Sequence, residues 1–319
     1  MARFLLRRLL AFIPTLIGIS LLVFFVIRQI PGDAITTRLG AEAAADLTPE
    51  QQAAYRTYFG LDKPLTIQYL EWAGRLLTGD FGQSEVRREP VITAILKSFP
   101  LTLQLTAMSL LIALLLGLPI GVFAALRPNS VPDLVLRTVS LIGLSIPGFW
   151  LGTLIILFLS VTFHFMPNAG RFTPLNEDMG RNLTQMIFPA LTLGIGFSAS
   201  IMRTTRAVML ETLAQDYIRT ARAKGLRPRR ILLAHALRNG LIPIITLIGI
   251  EMGYLLGGSV LIEEVFALPG LGRLTYTAIQ QRDYALAQGA ILFIAFNFVL
   301  INLIVDFLYS VADPRVSHA

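Results

Sequence analysis

Residues 203–239 read RTTRAVMLETLAQDYIRTARAKGLRPRRILLAHALRN, and this stretch lies between two apolar runs, Leu183–Met202 and Gly240–Ile262, in which Glu251 is the one formal charge. Within it Arg203, Arg206, Arg219, Arg222, Lys224, Arg227, Arg229, Arg230 and Arg238 stand against two acidic residues, Glu211 and Asp216. Crossing the hydrocarbon core as a helix takes about 20 apolar residues, because in lipid only a helix or a closed barrel satisfies its own backbone. The flanking runs are therefore membrane spans, and the charged segment between them lies in water. An excess of Lys and Arg marks the cytoplasmic side, so 203–239 is an inner loop.

Working outward, Leu9–Ile27, Leu101–Leu126, Thr138–Met166 and Tyr284–Val305 pass the same test and bring the expected spans to six. The N-terminal Arg3, Arg7 and Arg8 and the turn at Arg127 fall on the basic side. Pro31–Pro100 carries seven basic and nine acidic residues, and Ala267–Asp283 is close to balanced. Both termini are expected inside. The first run is longer than the apolar region of a cleaved leader and no small-x-small site closes it, so it reads as a retained anchor helix. The expected division is 1–100, the first span with the outer loop; 101–311, the remaining five spans with the inner loop at about 215–239; and 312–319, a cytoplasmic tail.

Composition agrees with a bilayer protein: 54% of the 319 residues are hydrophobic and 15% charged, outside the range of ordinary soluble domains. The net charge of +7 reports topology and not nucleic-acid binding. The absence of cysteine rules out disulfides, thiolate metal sites and a cysteine nucleophile. The outer loop mixes Tyr55, Tyr58, Phe59, Tyr69 and Trp72, too aromatic for a linker, and Thr48 with Gln51 is placed to cap a short helix. A small folded cap is expected there.

Enzyme chemistry has little to stand on. None of Lys63, Lys97 and Lys224 follows a phosphate-cradling G-x-x-x-x-G-K-S/T loop, so the chain does not drive its own ATP hydrolysis. There is no H-E-x-x-H, and Gly196-Phe-Ser198-Ala199 lacks the last glycine of an intramembrane serine protease motif. Glu251 either meets substrate or bonds to a neighbouring helix or a wet cavity. Intramembrane acids are costly and are functional by default.

The inner loop predicts two helices and a stop. Asp216 is a suitable N-cap for a helix through Lys224, Gly225 suits the left-handed position past its end with Leu226 as the following apolar contact, and Pro228 suits the first turn of a second helix. Ile218, Ala221 and Leu226 are apolar while Arg219, Arg222 and Lys224 are basic, so the first helix is amphipathic. One reading is an interfacial helix on anionic lipid. The defined stop and the small residues of Ala221-Arg-Ala223 favour docking on another protein.

This loop resembles the EAA loop of type I ABC importer permeases, whose pattern is Glu-Ala-Ala, three residues, Gly, nine residues, Ile-x-Leu-Pro. It falls on Arg219-Thr220-Ala221, Gly225 and His235-Ala236-Leu237-Arg238, with Ala221, Gly225 and Leu237 matching and Arg219 and Arg238 standing for Glu and Pro. The variant Ala-Arg-Ala-Lys-Gly-Leu with His-Ala-Leu-Arg-Asn resembles the B-type permease of the dipeptide and oligopeptide branch. So do Pro31-Gly-Asp33, Gly60-Leu-Asp-Lys-Pro64, Gly79-Asp-Phe-Gly82, Gly257-Gly-Ser259, Glu263-Glu-Val-Phe266, Pro269-Gly-Leu-Gly272, Arg282-Asp-Tyr284 and Asp313-Pro-Arg315. Each is weak alone, whereas the ordered set is specific and covers nearly the whole chain.

The resemblance implies an all-α, six-span permease subunit in a prokaryotic inner membrane that does no chemistry itself. It implies that Arg219, Thr220, Ala221, Arg222, Lys224, Gly225, Leu226, His235 and Leu237 couple the chain to an ATPase. The implied partners are a C-type permease, one or two kinds of ATP-binding subunit that hold ATP and Mg2+, an extracytoplasmic binding protein, peptide and membrane lipid, with no nucleic acid and no cofactor or metal in this chain. Glutathione and nickel chelates are alternative substrates, and an ATP-independent channel or carrier, or a silent anchor, are the other classes. Glu251, Ser259, Asn297 and Asn302 are the polar residues expected along the route. Gly249, Gly253 and Gly257 recur on one face of the fifth span, as Gly117 and Gly121 do in the second, and allow close packing either within the chain or against a partner. Pro147, Pro189 and Pro243 are expected to kink their spans.

Overall fold

The computed structural model describes residues 2–29, 46–58 and 62–312. Pro31-Gly-Asp33, Phe59, Gly60 and Leu61, Asp313-Pro-Arg315 and nearly all of the expected tail lie outside the described residues. Among the described residues the chain is helical, with one isolated bridge between Gln83 and Pro90. In chain order the helices are α1 (Ala2–Gln29), α2 (Pro49–Tyr58), α3 (Leu65–Leu77), α4 (Val91–Leu126), α5 (Val131–Ser145), α6 (Gly148–Phe163) and α7 (Met179–Leu213). The inner loop follows as α8 (Asp216–Ala223) and α9 (Pro228–Arg230), then a π-helical segment Ile231–Leu237, and the chain ends in α10 (Arg238–Gly258), α11 (Val260–Val265), α12 (Leu271–Gln280) and α13 (Tyr284–Ala312).

Four of these helices, α1, α4, α7 and α13, are long and apolar enough to cross a membrane, and six crossings result when two bent pairs are each taken as one span. The first pair bends at the expected Pro147, and sharply: Thr138–Met166 comprises the end of α5 and all of α6, meeting at 95°. The cause is local: Pro147 forces Ile146 out of the helical region to φ −81° and ψ 121°, as a residue before proline generally is. The second pair bends by 53° between Pro228–Gly240 and Pro243–Gly257, in line with the kink expected at Pro243, whereas α7 continues as one helix through Pro189. At 36 residues α4 is about 54 Å long and exceeds the hydrocarbon thickness of about 30 Å.

The described residues form two compact units. One consists mainly of Leu103–Leu268 with the chain from Leu300 onward. Here α4 lies against α7 with no room for side chains between them. A Cβ on Gly194 would sit 2.9 Å from the Ser109 carbonyl oxygen and 2.7 Å from Ile112. One on Gly117 would sit 2.7 Å from the Ser198 oxygen, and one on Gly121 would sit 2.7 Å from the Met202 oxygen. Gln104 and Asn182 are bonded to each other beyond this contact. Partner numbers rise together along both helices, so α4 and α7 run parallel, and the intervening chain must cross back once, as α5 and α6 do. The second-span glycines thus pack within the chain. Against α10 the register of α7 is antiparallel, with Gly240 beside Val208 and Tyr254 beside Phe197.

The second unit joins Leu5–Thr102 to Pro269–Val299 around a buried cluster that includes Ile27, Val91, Ile95, Leu271, Leu274 and Leu286. The outer loop is folded where it is described. Thr48 and Gln51 form the expected capping box on α2, the Thr48 N–H donating to Gln51 Oε1 at 2.9 Å and the Gln51 N–H to Thr48 Oγ1 at 3.3 Å. Helix α3 docks on the end of α1, where Phe24 meets Trp72 and Tyr69 at ring-centroid distances of 5.3 and 5.4 Å and Arg28 donates to Gln68 Oε1 at 2.8 Å. Buried Asp283 caps α13 by accepting the Leu286 N–H at 3.1 Å, and the same carboxylate accepts the Ser84 hydroxyl.

Two glycines of α7 make a matched test of the close contact. A Cβ at Gly196 meets nothing within 4 Å, unlike one at Gly194. Gly194→Ala is expected to lower the thermal unfolding midpoint in detergent by an amount equivalent to about 1–3 kcal/mol of overpacking. Gly196→Ala is expected to leave it unchanged or raise it, since alanine favours a helix by about 0.5–1 kcal/mol over glycine.

Candidate functional site

The inner loop begins where α7 ends. Helix α8 starts one residue earlier than expected, with Gln215 as N-cap and Asp216 as the first helical residue. Its acidic side chain still sits in the first turn, where it complements the helix dipole. The end is a Schellman motif: the Gly225 N–H donates to the Arg222 carbonyl at 2.9 Å and the Leu226 N–H to the Ala221 carbonyl at 3.3 Å, with Gly225 at φ +74°. Only glycine takes that conformation without steric cost.

Burial splits α8 into two faces. Ile218 and Ala221 are buried with Ala125, Met209, Ile231 and Ala236 in one cluster, so α8 is seated on the ends of α4 and α7 and on the π segment. Arg219, Thr220, Arg222, Ala223, Lys224 and Gly225 are exposed. This corrects the reading of Ala221-Arg-Ala223 as a small-residue docking face: Ala221 turns inward, and only Ala223 faces outward. Leu226, His235 and Leu237 are half-buried, the last two on the π segment. The Asn239 amide donates to the Tyr217 hydroxyl at 3.0 Å and links α8 to the start of α10. The outward face therefore offers cations on a rigid, twice-anchored helix.

An ion pair missed in the sequence fixes the base of this device. Asp133, 1% exposed, accepts from Arg206 Nε at 2.6 Å and from Arg206 Nη2 at 2.7 Å, and the Asn129 N–H adds a third bond at 2.9 Å. The pair ties the first turn of α5 to α7 one turn before Met209, which packs under α8. A signal existed: Asp133 is the sole acidic residue between Glu89 and Glu177, and Arg206 lies four residues past an uncharged run.

The expected route residues differ in their surroundings. Glu251 is half-buried on α10, with Ser200 of α7 beside it. Ser259 is buried and donates to Glu263 Oε1 at 2.9 Å. Asn297 donates to the Phe293 carbonyl one turn back at 2.8 Å, and Asn302 is half-buried on α13 with a polar partner of its own. Of the fifth-span glycines, Gly249 abuts Val305, which a Cβ would meet at 2.6 Å, Gly253 is buried and Gly257 is exposed.

Comparison with known proteins places this geometry. Residues 117–318 match the family model described as the inner membrane component of binding-protein-dependent transport systems, and residues 1–106 match the N-terminal model of such membrane components. The chain is 42% identical to the di/tripeptide transport system permease protein DppB of Pseudomonas aeruginosa, over 100% of this chain and 99% of that protein. It is 40% identical to the dipeptide transport system permease protein DppB of Escherichia coli K12, with the same coverage. It is 39% identical to the glutathione transport system permease protein GsiC of Salmonella choleraesuis, over the full length of both. Among solved structures, the MetNI methionine ABC transporter in an inward-facing conformation matches with a TM-score of 0.55 at 21% identity, covering 70% of this chain and 97% of that one. That match speaks for the fold.

Removing one partner of a buried pair strands the other. Arg206→Gln is expected to destabilise the subunit by about 3 kcal/mol, read as a lower unfolding midpoint in detergent. The double variant Asp133→Asn with Arg206→Gln is expected to recover part of that loss. Equal midpoints for wild type and Arg206→Gln would show that the pair contributes nothing.

Proposed function

The chain belongs to the family of inner membrane components of binding-protein-dependent transport systems, and from that premise we propose that it forms, with a second permease of C type, the route by which dipeptides or short oligopeptides enter the cell. Peptide arrives on an extracytoplasmic binding protein, and separate ATP-binding subunits, of one or two kinds, bind ATP with Mg2+ and supply the energy. The 215–239 loop and both termini lie on the cytoplasmic side. Anionic lipid headgroups neutralise the basic residues that the ATPase leaves uncovered. The likeness to dipeptide permeases across the whole chain supports the substrate class. Glutathione is the second reading, favoured by the comparable likeness to a glutathione permease; it is itself a peptide with a free amine and two carboxylates.

One observation carries the coupling mechanism: α8 is seated on its own chain through Ile218 and Ala221 while its cations face outward. A helix held this way moves as a rigid body with what it is packed on, and helix shifts at subunit interfaces are a known mode of switching. Closure of the ATPases displaces the outer face of α8. The buried face passes that displacement to α7 and, through the π segment, to α10. Gly225 sets where the helix stops and so fixes the lever's length. The basic outer face meets a surface of opposite charge on the ATPase.

The test is purification of the tagged chain in mild detergent with its genetic neighbours expressed, followed by subunit identification and ATP hydrolysis with and without liganded binding protein. P-loop subunits in stoichiometric amount and hydrolysis stimulated by dipeptide are the expected result. In the reconstituted complex Gly225→Val, which places a β-branched residue at φ +74°, is expected to reduce peptide uptake at least about tenfold, the equivalent of about 1.4 kcal/mol. Uptake and stimulated hydrolysis at wild-type rates in Gly225→Val would falsify the coupling role.

A further inference from the structure

Alongside the glycine contact, α7 and α10 present a polar and aromatic patch that the coupling mechanism does not use. Ser200 of α7 lies beside Glu251 of α10. One helical turn away on each helix, Phe197 and Tyr254 face each other with ring centroids 6.0 Å apart and ring planes at 70°. The four residues therefore share one seam of the antiparallel pair. Tyr254 is 64% exposed, and Glu251, Ser200 and Phe197 are half-buried, so the patch is open on one side.

Depth makes this patch unusual. Glu251 lies 13 residues into α10 from Arg238, about 20 Å along the helix, inside the apolar run Gly240–Ile262. A carboxylate there is expensive against lipid and persists where it meets water, a partner or a passing charge. Among the described residues no cation pairs with Glu251, and the nearest basic residue in sequence on α7, Arg203, is exposed one turn further toward the inner loop. The carboxylate is thus uncompensated inside a span that also carries the close glycine contact with Val305.

We propose that Glu251, Ser200, Phe197 and Tyr254 form a station on the translocation route that receives the N-terminal ammonium of the peptide. The proposal rests on the peptide-import reading and adds to it the group recognised. A carboxylate accepts charge-assisted hydrogen bonds from N+–H donors, and the faces of tyrosine and phenylalanine attract the same cation. Together they replace water around an ammonium that has to leave it. A bare metal ion is poorly served, because among the described residues no three His, Cys, Asp or Glu side chains come together. The station explains why an acidic group is kept in this span: every unblocked dipeptide brings the complementary charge, whatever its side chains are.

The experiment uses the complete transporter in proteoliposomes with its binding protein, and compares one labelled dipeptide with its N-acetylated form. Peptide concentrations are set so that each fills about nine-tenths of the binding protein, which removes that protein's own preference. Wild type is expected to import the free-amine peptide at least about tenfold faster than the acetylated one. Glu251→Gln is expected to bring the two rates within about twofold of each other by slowing the free-amine peptide, Glu251→Asp to restore most of the difference, and Tyr254→Leu to reduce it several-fold. An unchanged ratio in Glu251→Gln overturns the station. If Glu251→Gln does not assemble, Tyr254→Leu is read by the same ratio. Loss of assembly in both overturns the proposal in favour of a subunit contact. Wild type that carries neither peptide instead overturns the import reading on which the station rests.

Discussion

Close approach of α4 to α7 is the constraint on which the larger unit depends. Lipid tails are as apolar as leucine, so burying hydrocarbon does not by itself hold two helices together in a membrane; contact area and small residues do. Gly117 and Gly121 on one helix and Gly194 on the other leave backbone against backbone over three turns. With that contact in place, α7 has one position and one rotation. Everything of functional interest then hangs from it: Ser200 in its middle, Arg206 toward its end, Met209 under α8, and the loop itself beyond Leu213.

The spans were legible because apolar length is a strong signal and a charge inside lipid is costly. The stop of α8 was legible for a different reason: Gly225 followed by Leu226 leaves few alternatives to a left-handed turn with an apolar cover. What stayed hidden depends on contacts distant in sequence. Pro147 announced a bend, but nothing local says whether the chain continues across the membrane or turns by 95°. Ala221 looked like part of an outward surface because composition cannot say which face of an eight-residue helix is covered. Asp133 and Arg206 are 73 residues apart, and no local pattern pairs them.

A common thread runs from the loop to the patch at Glu251. Both are built on the same two helices, α7 and α10, which approach again at Gly240 beside Val208. The π segment stands at that junction. Its wider turn lets Ile231 and Ala236 both face the cluster under α8, and π segments within α-helices frequently mark functional sites. Two side-chain contacts brace this region, Asn239 to Tyr217 between α10 and α8 and Arg206 to Asp133 between α7 and α5.

The Asp283 hub has a consequence for how the protein is made. Ser84 and Asp283, which share one buried bond, are separated by 199 positions. At about 5–20 residues per second a ribosome needs roughly 10–40 s to supply the second after the first. Throughout that interval Val91 and Ile95 lack the cover that Leu271, Leu274 and Leu286 later give them. The newly inserted N-terminal half is therefore an open structure waiting for the last hairpin. A chain cut short before Leu271 never gains that cover.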